Sequence, residues 1–249
     1  MAVLGCGNMS QALVKGMAHH FPQISFWTYT PSYSKAEELA KAVGGEAYRR
    51  PEDLKGADLY LLACKPQQLQ ELAEDFKDVI SKEALVISIL AGTSVDNIQK
   101  ALEIEKVMRV MPNTPILLGQ GVNLLYLPSV LSLQEMALGR ELMQAGAEVY
   151  ETQSEDQLNA LTGFTGSGPA YVFELTRLMA EIMTEYGVSG EDAGRLMIQT
   201  VQGSAELIKG KAKTLDDLED LRNRVASKKG VTQKALDCLD EQGLKETFE

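Results

Sequence analysis

Two stretches of this chain, residues 58–64 (DLYLLAC) and 84–90 (ALVISIL), are apolar almost without interruption. A strand with one wet face alternates polar and apolar side chains; a strand without alternation is covered on both faces. A parallel sheet held between helices meets that demand, and the surrounding sequence supplies the helices. Residues 8–20 place Met9, Leu13, Gly16 and Met17 on one side, and residues 34–43 turn Lys35, Glu38 and Lys41 away from Ala36, Leu39 and Ala40. Both follow helical spacing. Residues 2–4, 24–29, 106–111 and 122–127 read as further strands. Repeated strand–helix units predict a doubly wound α/β sheet, with its ligand at the carboxyl ends of the strands.

After about Thr152 the texture changes. Residues 171–186 carry Val172, Leu175, Met179, Ile182, Met183 and Tyr186 at a 3.6-residue period, with Glu174, Arg177, Glu181 and Glu185 between them. Residues 193–208 repeat the pattern, and 215–225 and 232–239 read as shorter helices. The expected organisation is a Rossmann-type domain over residues 1–152 followed by an all-helical domain over 153–249.

The first strand runs into Gly5-Cys6-Gly7-Asn8-Met9-Ser10, and a helix opens there. This G-x-G-x-x-S differs in one position from the dinucleotide-binding fingerprint. The first glycine permits a tight turn. The second lets backbone approach a pyrophosphate, which rests on the free N–H groups and positive dipole of the helix start. Small Ser10 suits close helix–strand packing. The position that discriminates the ribose lies about 20 residues on, where Asp or Glu holds the 2′-hydroxyl of NAD. Here the chain reads Trp27-Thr28-Tyr29-Thr30-Pro31-Ser32-Tyr33-Ser34-Lys35, and its first acid is Glu37. Thr28, Thr30, Ser32, Ser34 and Lys35 offer hydroxyls and a cation to the 2′-phosphate of NADP(H). A Ser/Thr-rich turn capping the next helix explains the same residues.

Composition narrows the partners. With 35 acids, 24 Lys and Arg and a net charge of -11, the chain lacks the basic surface that nucleic acid requires. Cys6, Cys64 and Cys238 form neither a disulfide framework nor a zinc pattern, and no metal is expected. No apolar run approaches the roughly 20 residues of a membrane span, and no signal peptide is evident. These features predict a cytoplasmic protein without membrane or nucleic-acid partners. The histidines, His19 and His20, fall at the far end of the first helix and read as surface residues.

Three further strand ends carry polar or small residues. Lys65-Pro66 ends one buried run; Ala91-Gly92 ends the next and leaves room for a flat ring. In Met111-Pro112-Asn113-Thr114-Pro115 two prolines stiffen the backbone around Asn113, whose amide can both donate and accept. Plain turns, and an asparagine capping its own loop, are the competing readings. Six segments occur in the order and spacing of one family: Gly5-Cys6-Gly7-Asn8-Met9, Tyr29-Thr30-Pro31-Ser32, Cys64-Lys65-Pro66-Gln67, Ser88-Ile89-Leu90-Ala91-Gly92, Met111-Pro112-Asn113-Thr114-Pro115 and Gly166-Ser167-Gly168-Pro169-Ala170-Tyr171-Val172-Phe173. The chain resembles the pyrroline-5-carboxylate reductases of proline biosynthesis over nearly its whole length.

The resemblance implies NADPH-dependent hydride transfer to the cyclic imine 1-pyrroline-5-carboxylate, giving L-proline. It places the nicotinamide half of the cofactor against Lys65, Pro66, Ala91, Gly92 and Asn113. It also implies a homo-oligomer, at least a dimer, built from the C-terminal helices. A protonated imine is already electrophilic, so hydride can arrive without a lysine or histidine to polarise a carbonyl. Similar β-hydroxyacid dehydrogenases carry a catalytic Lys and Asn where this chain has Val172 and Thr176, which disfavours alcohol oxidation. In the family, a Ser-Pro-Gly-Gly-(Thr or Ala)-Thr turn opens a C-terminal helix and binds substrate. The aligned residues are Ser227-Lys228-Lys229-Gly230-Val231-Thr232. Backbone N–H groups around Gly230, Val231 and Thr232 would hold the substrate carboxylate, with Ser227 in the turn and the Thr232 hydroxyl bonded to the substrate as the catalytic contact. Lys228 and Lys229 depart from the pattern, and a non-catalytic dinucleotide-binding paralogue is the alternative reading. The chain also has a short first strand and stops at Glu249, where family members usually continue through one more helix.

Overall fold

A computed structural model describes residues 1–227 and 230–248. Two compact units divide at Tyr171, the first spanning Met1–Tyr171 and the second Val172–Glu249.

The first unit is built on one eight-stranded sheet: β1 (Ala2–Leu4), β2 (Trp27–Tyr29), β3 (Glu46–Ala47), β4 (Leu59–Leu62), β5 (Leu85–Ser88), β6 (Val107–Pro112), β7 (Gly121–Tyr126) and β8 (Ala147–Glu151). Their spatial order is β3-β2-β1-β4-β5-β6-β7-β8. The unalternating runs become β4 and β5, which are buried at every position. Successive side chains on a strand point to opposite faces, so two cores form. Val3, Leu61, Ile87 and Met108 pack on one face with α1 (Asn8–His20), α2 (Tyr33–Val43) and α5 (Leu133–Met143). Leu4, Tyr60, Leu62 and Val86 pack on the other with α3 (Leu69–Phe76) and α4 (Val95–Leu102). This is the expected doubly wound arrangement.

One strand pair departs from it. β6 and β7 are antiparallel, with Arg109 opposite Tyr126 and Pro112 opposite Asn123. Only residues 113–120 join them, and part of that link is a 3-10 turn, Thr114–Leu118. A parallel return needs a crossover of a dozen or more residues, whereas an antiparallel pair needs only a short loop. β8 then pairs parallel with β7 after the α5 crossover. The expected strand at 24–29 contracts to Trp27–Tyr29.

Beside the sheet, α6 (Glu155–Thr165) is fastened by a buried charge. Arg109 on β6 is 1% exposed; its Nη1 donates to Glu155 Oε1 at 2.7 Å and its Nη2 to Asn159 Oδ1 at 3.2 Å. Glu155 Oε1 also accepts the Val95 amide at 3.0 Å, tying α6 to the start of α4. A buried guanidinium is tolerable because two acceptors replace its water.

α7 (Gly168–Glu185) begins at the end of the first unit and continues into the second, which holds α8 (Gly190–Lys211), α9 (Leu215–Val225), α10 (Val231–Glu241) and α11 (Leu244–Thr247). α8 and α9 are capped in sequence by Ser189 and Thr214, whose hydroxyls accept amides three residues on. Among the described residues, the elements from α6 onward are all helices, as the expected fold class requires. Among the described residues, no helix is long and apolar enough to cross a membrane.

Candidate functional site

Parallel register brings the ends of β1, β2 and β4 side by side. Leu4 lies opposite Tyr29 and Leu62, and the Gly5 amide donates to the Tyr29 carbonyl at 2.8 Å. The segments that follow these strands line a cleft of about 330 Å³. Gly5, Cys6 and Gly7 form one part of its wall. Tyr29, Thr30, Pro31, Ser32 and Lys35 form another, and Ala63, Cys64, Lys65 and Gln68 a third; Glu71, Leu72, Asp75 and Phe76 of α3 complete it.

The two loop glycines do different work. Gly5 has φ +109°, and an added Cβ would come within 2.5 Å of the Ala63 carbonyl oxygen. Neither the conformation nor the space admits a side chain. At Gly7 an added Cβ would meet nothing within 4 Å, so the fold does not fill that space. Gly7 is also the N-cap of α1, without a side-chain cap and without an acid in the first turn. The first N–H groups of a helix have no partner within it, and here they open beside the cleft. Ser10 is buried and its hydroxyl donates to the Gly7 carbonyl at 3.0 Å, as close packing of helix on strand requires. A pyrophosphate fits this combination of donors, positive dipole and open space.

The cleft thiols are not nucleophiles. Burial pushes Cys6 up to about 12 and Cys64 up to about 11. Both stay protonated at neutral pH. His19 and His20 lie at the opposite end of α1, exposed, with His20 Nδ1 at 2.9 Å from the Gly16 carbonyl. Among the described residues no group of three or more His, Cys, Asp or Glu is placed to hold a metal.

The expected cofactor residues therefore separate into groups. Gly5, Cys6, Gly7, Thr30, Ser32, Lys35 and Lys65 share the cleft. Asn8 and Met9 form the first turn of α1 beside it. Ser34 is exposed, with its hydroxyl 3.3 Å from that of Ser32. Thr28 is elsewhere: it is fully buried, and its hydroxyl donates to the Ala36 carbonyl at 2.8 Å, joining β2 to α2. Pro66 and Gly92 border a second, more open depression of about 500 Å³, with Gln70, Thr93, Asn97 and Lys100. Ala91 is exposed next to it.

Asn113 is buried at the end of β6. Its Nδ2 donates to the Thr165 carbonyl at 3.0 Å, and its Oδ1 accepts the Val122 amide at 2.8 Å. It thus joins the prolyl loop to β7 and to the exit of α6. One amide hydrogen and one oxygen lone pair remain. Glu71 and Asp75 were not among the sequence candidates. No motif marks them; their position on α3, facing the cleft, is a consequence of the fold.

In the second unit, Gly230 is the N-cap of α10, with no side-chain cap. Its amide donates to the Ser227 carbonyl at 2.8 Å, and an added Cβ would collide with the Ser227 hydroxyl. Val231 and Thr232 are exposed in the first turn, so free amides and a hydroxyl stand together there. Lys228 and Lys229 lie outside the described residues.

A doubly wound sheet whose first strand delivers a glycine turn into an uncapped helix, beside a cleft with lysines and hydroxyls, defines a Rossmann-type dinucleotide-dependent oxidoreductase. Residues 1–92 accordingly match the family model "NADP oxidoreductase coenzyme F420-dependent", and residues 155–249 match "Pyrroline-5-carboxylate reductase dimerisation". The pyrroline-5-carboxylate reductase of Pseudomonas aeruginosa is 31% identical over 255 residues, covering 100% of this chain and 91% of the relative. That of Escherichia coli is 29% identical, covering 97% and 90%. A solved pyrroline-5-carboxylate reductase from Coxiella burnetii superposes with a TM-score of 0.86 at 28% identity, covering 99% of this chain and 92% of the other. The chain belongs to the pyrroline-5-carboxylate reductase family.

Proposed function

We propose that the chain reduces 1-pyrroline-5-carboxylate to L-proline with NADPH, in the cytoplasm, as a homo-oligomer of at least two subunits joined through the helices of residues 153–249. The amides of Gly7, Asn8 and Met9 bind the pyrophosphate. Thr30, Ser32, Ser34 and Lys35 bind the 2′-phosphate, and the edge formed by Lys65, Pro66, Ala91 and Gly92 borders the nicotinamide half. Asn113, fixed by its bonds to Val122 and Thr165, keeps one donor and one acceptor for the carboxamide. When bound, the dinucleotide supplies the hydride.

The chain's own contribution to the chemistry is positioning. The cleft has no thiolate, and the histidines stand at the far end of α1. An iminium needs neither, because its carbon is electrophilic once the nitrogen is protonated. The Gly230 amide closes the turn on the Ser227 carbonyl, the free amides of Val231 and Thr232 that follow it hold the substrate carboxylate, and the Thr232 hydroxyl bonds the substrate. Unpaired Cys6, Cys64 and Cys238 suit a reducing compartment.

One observation carries the reading: Thr232 stands exposed in the first turn of α10, two residues after an uncapped Gly230, in a chain similar along its whole length to named pyrroline-5-carboxylate reductases. The test is NADPH oxidation, followed by absorbance, on adding pyrroline-5-carboxylate. Turnover to proline is the expected result. Tight NADPH binding without turnover identifies a dinucleotide-binding paralogue instead.

A further inference from the structure

Residues 30–35, which follow β2, contain no acid, and by sequence the ribose end of the cleft is free of negative charge. The fold changes that balance. α3 follows β4 and lies across the cleft from the start of α2, so that Glu71 and Asp75 line the same space as Thr30, Ser32 and Lys35. The cleft's charged side chains are therefore two lysines, Lys35 and Lys65, and two carboxylates. Among the described residues none of the four is held in an ion pair, although many exposed charges elsewhere are. No contact pair fixes these charges, and each acts on whatever enters the cleft.

The carboxylates reach the discriminating end of β2. Tyr29 closes that strand and packs edge-on against Phe76 of α3, with ring centroids 5.0 Å apart. Its hydroxyl is held above the ordinary tyrosine range by burial first, then by the negative fields of Asp75, Glu52 and Glu71. A group ionising there meets the acids of α3. A 2′-phosphate carries negative charge where NAD has a neutral hydroxyl, so the same field separates the two cofactors.

We propose that Glu71 and Asp75 set the ratio in which this protein takes NADPH and NADH, by opposing the 2′-phosphate that Lys35 and the Thr30 and Ser32 hydroxyls attract. The discriminating carboxylates sit on the helix after β4, rather than at the end of β2. There they act on the phosphorylated cofactor at a distance and leave the ribose hydroxyls of either cofactor to the β2 end. NADPH preference is thereby tempered, and NADH remains usable when it is abundant. The inference rests on the proposed cofactor site.

The test is equilibrium binding of NADPH, NADH, 2′,5′-ADP and 5′-AMP to the whole chain and to the E71Q, D75N and double variants. Both positions are exposed and both replacements keep shape. Each should tighten NADPH and 2′,5′-ADP by roughly three- to tenfold, the size of a water-screened interaction between charges across one cleft. NADH and 5′-AMP should change by less than about twofold, and the selective gain should shrink as salt is raised. Lys35→Ala should move the ratio the other way. An unchanged ratio in the double variant overturns the proposal, as does equal weakening of all four ligands, which would mean that a carboxylate accepts from the adenine amino group. A parent chain that binds neither dinucleotide overturns the cofactor reading itself; a parent that binds both, with a ratio the variants leave untouched, overturns only this inference.

Discussion

The two units of this molecule meet their burial requirements in opposite ways. In the first, both faces of the sheet are covered by the unit's own helices, and even the charged Arg109 finds Glu155 and Asn159 within it. In the second, Ala193 and Met197 are the buried apolar residues among those described, while Leu175, Leu178, Met179 and Ile182 form a half-exposed stripe along α7. An apolar stripe at positions i, i+3, i+4 and i+7 is a face built for another helix. The contrast separates a region with two extensive buried cores from a region that leaves an apolar stripe exposed, and residues 155–249 match a pyrroline-5-carboxylate reductase dimerisation family.

The severest way to break this contrast is to charge the stripe. Leu178→Glu with Ile182→Glu should weaken self-association by on the order of a thousandfold, or about 4 kcal/mol, as loss of a buried interface anchor does. Sedimentation should show the parent associated and the variant monomeric. A parent that is monomeric and fully active would remove the distinction between the units.

Within the first unit, Arg109→Ala should cost about 3 kcal/mol in urea unfolding. That is the low end for a broken buried pair, because Glu155 keeps some water. A loss below about 1 kcal/mol would mean that the sheet does not depend on this internal closure.

Gly5 and Gly7 sharpen the comparison at the level of single residues. Gly5→Ala forces a side chain into a positive φ and against Ala63, and should destabilise the fold by about 2 kcal/mol or more. Gly7→Ala meets open space and should cost below about 1 kcal/mol of stability, as a changed N-cap. It should nevertheless weaken NADPH roughly tenfold, or about 1.4 kcal/mol. Thermal melts with and without NADPH separate the two. If Gly7→Ala binds NADPH as tightly as the parent, the pyrophosphate is not at α1.

The smallest effect belongs to the second unit. Thr232→Val removes a hydroxyl at nearly constant volume and should lower kcat/KM for the imine by about 0.5–1.5 kcal/mol, with NADPH affinity unchanged. Intact catalysis would place the substrate elsewhere.

The sequence by itself determined the doubly wound class, the positions of β4, β5 and α1, and the glycine turn. All are local. A run of side chains buried on two faces, or a helix wetted on one, shows its period within a few residues. The helices around α7 and α8 were legible for the same reason. Short edge strands such as β3 and β8 were not, because two residues, or a half-exposed stretch with Glu148 and Glu151, bury too little to leave a pattern. Only the tertiary structure decided what depends on distant residues meeting. It turned β7 antiparallel to β6, because the link between them is too short for a crossover. It buried Thr28 against Ala36, and it engaged the Asn113 amide with Val122 and Thr165. It also carried Glu71 and Asp75 into a cleft whose sequence signature contains no acid. Side-chain period is a property of one segment, but the charge of a cleft is a sum over segments that only strand register brings together.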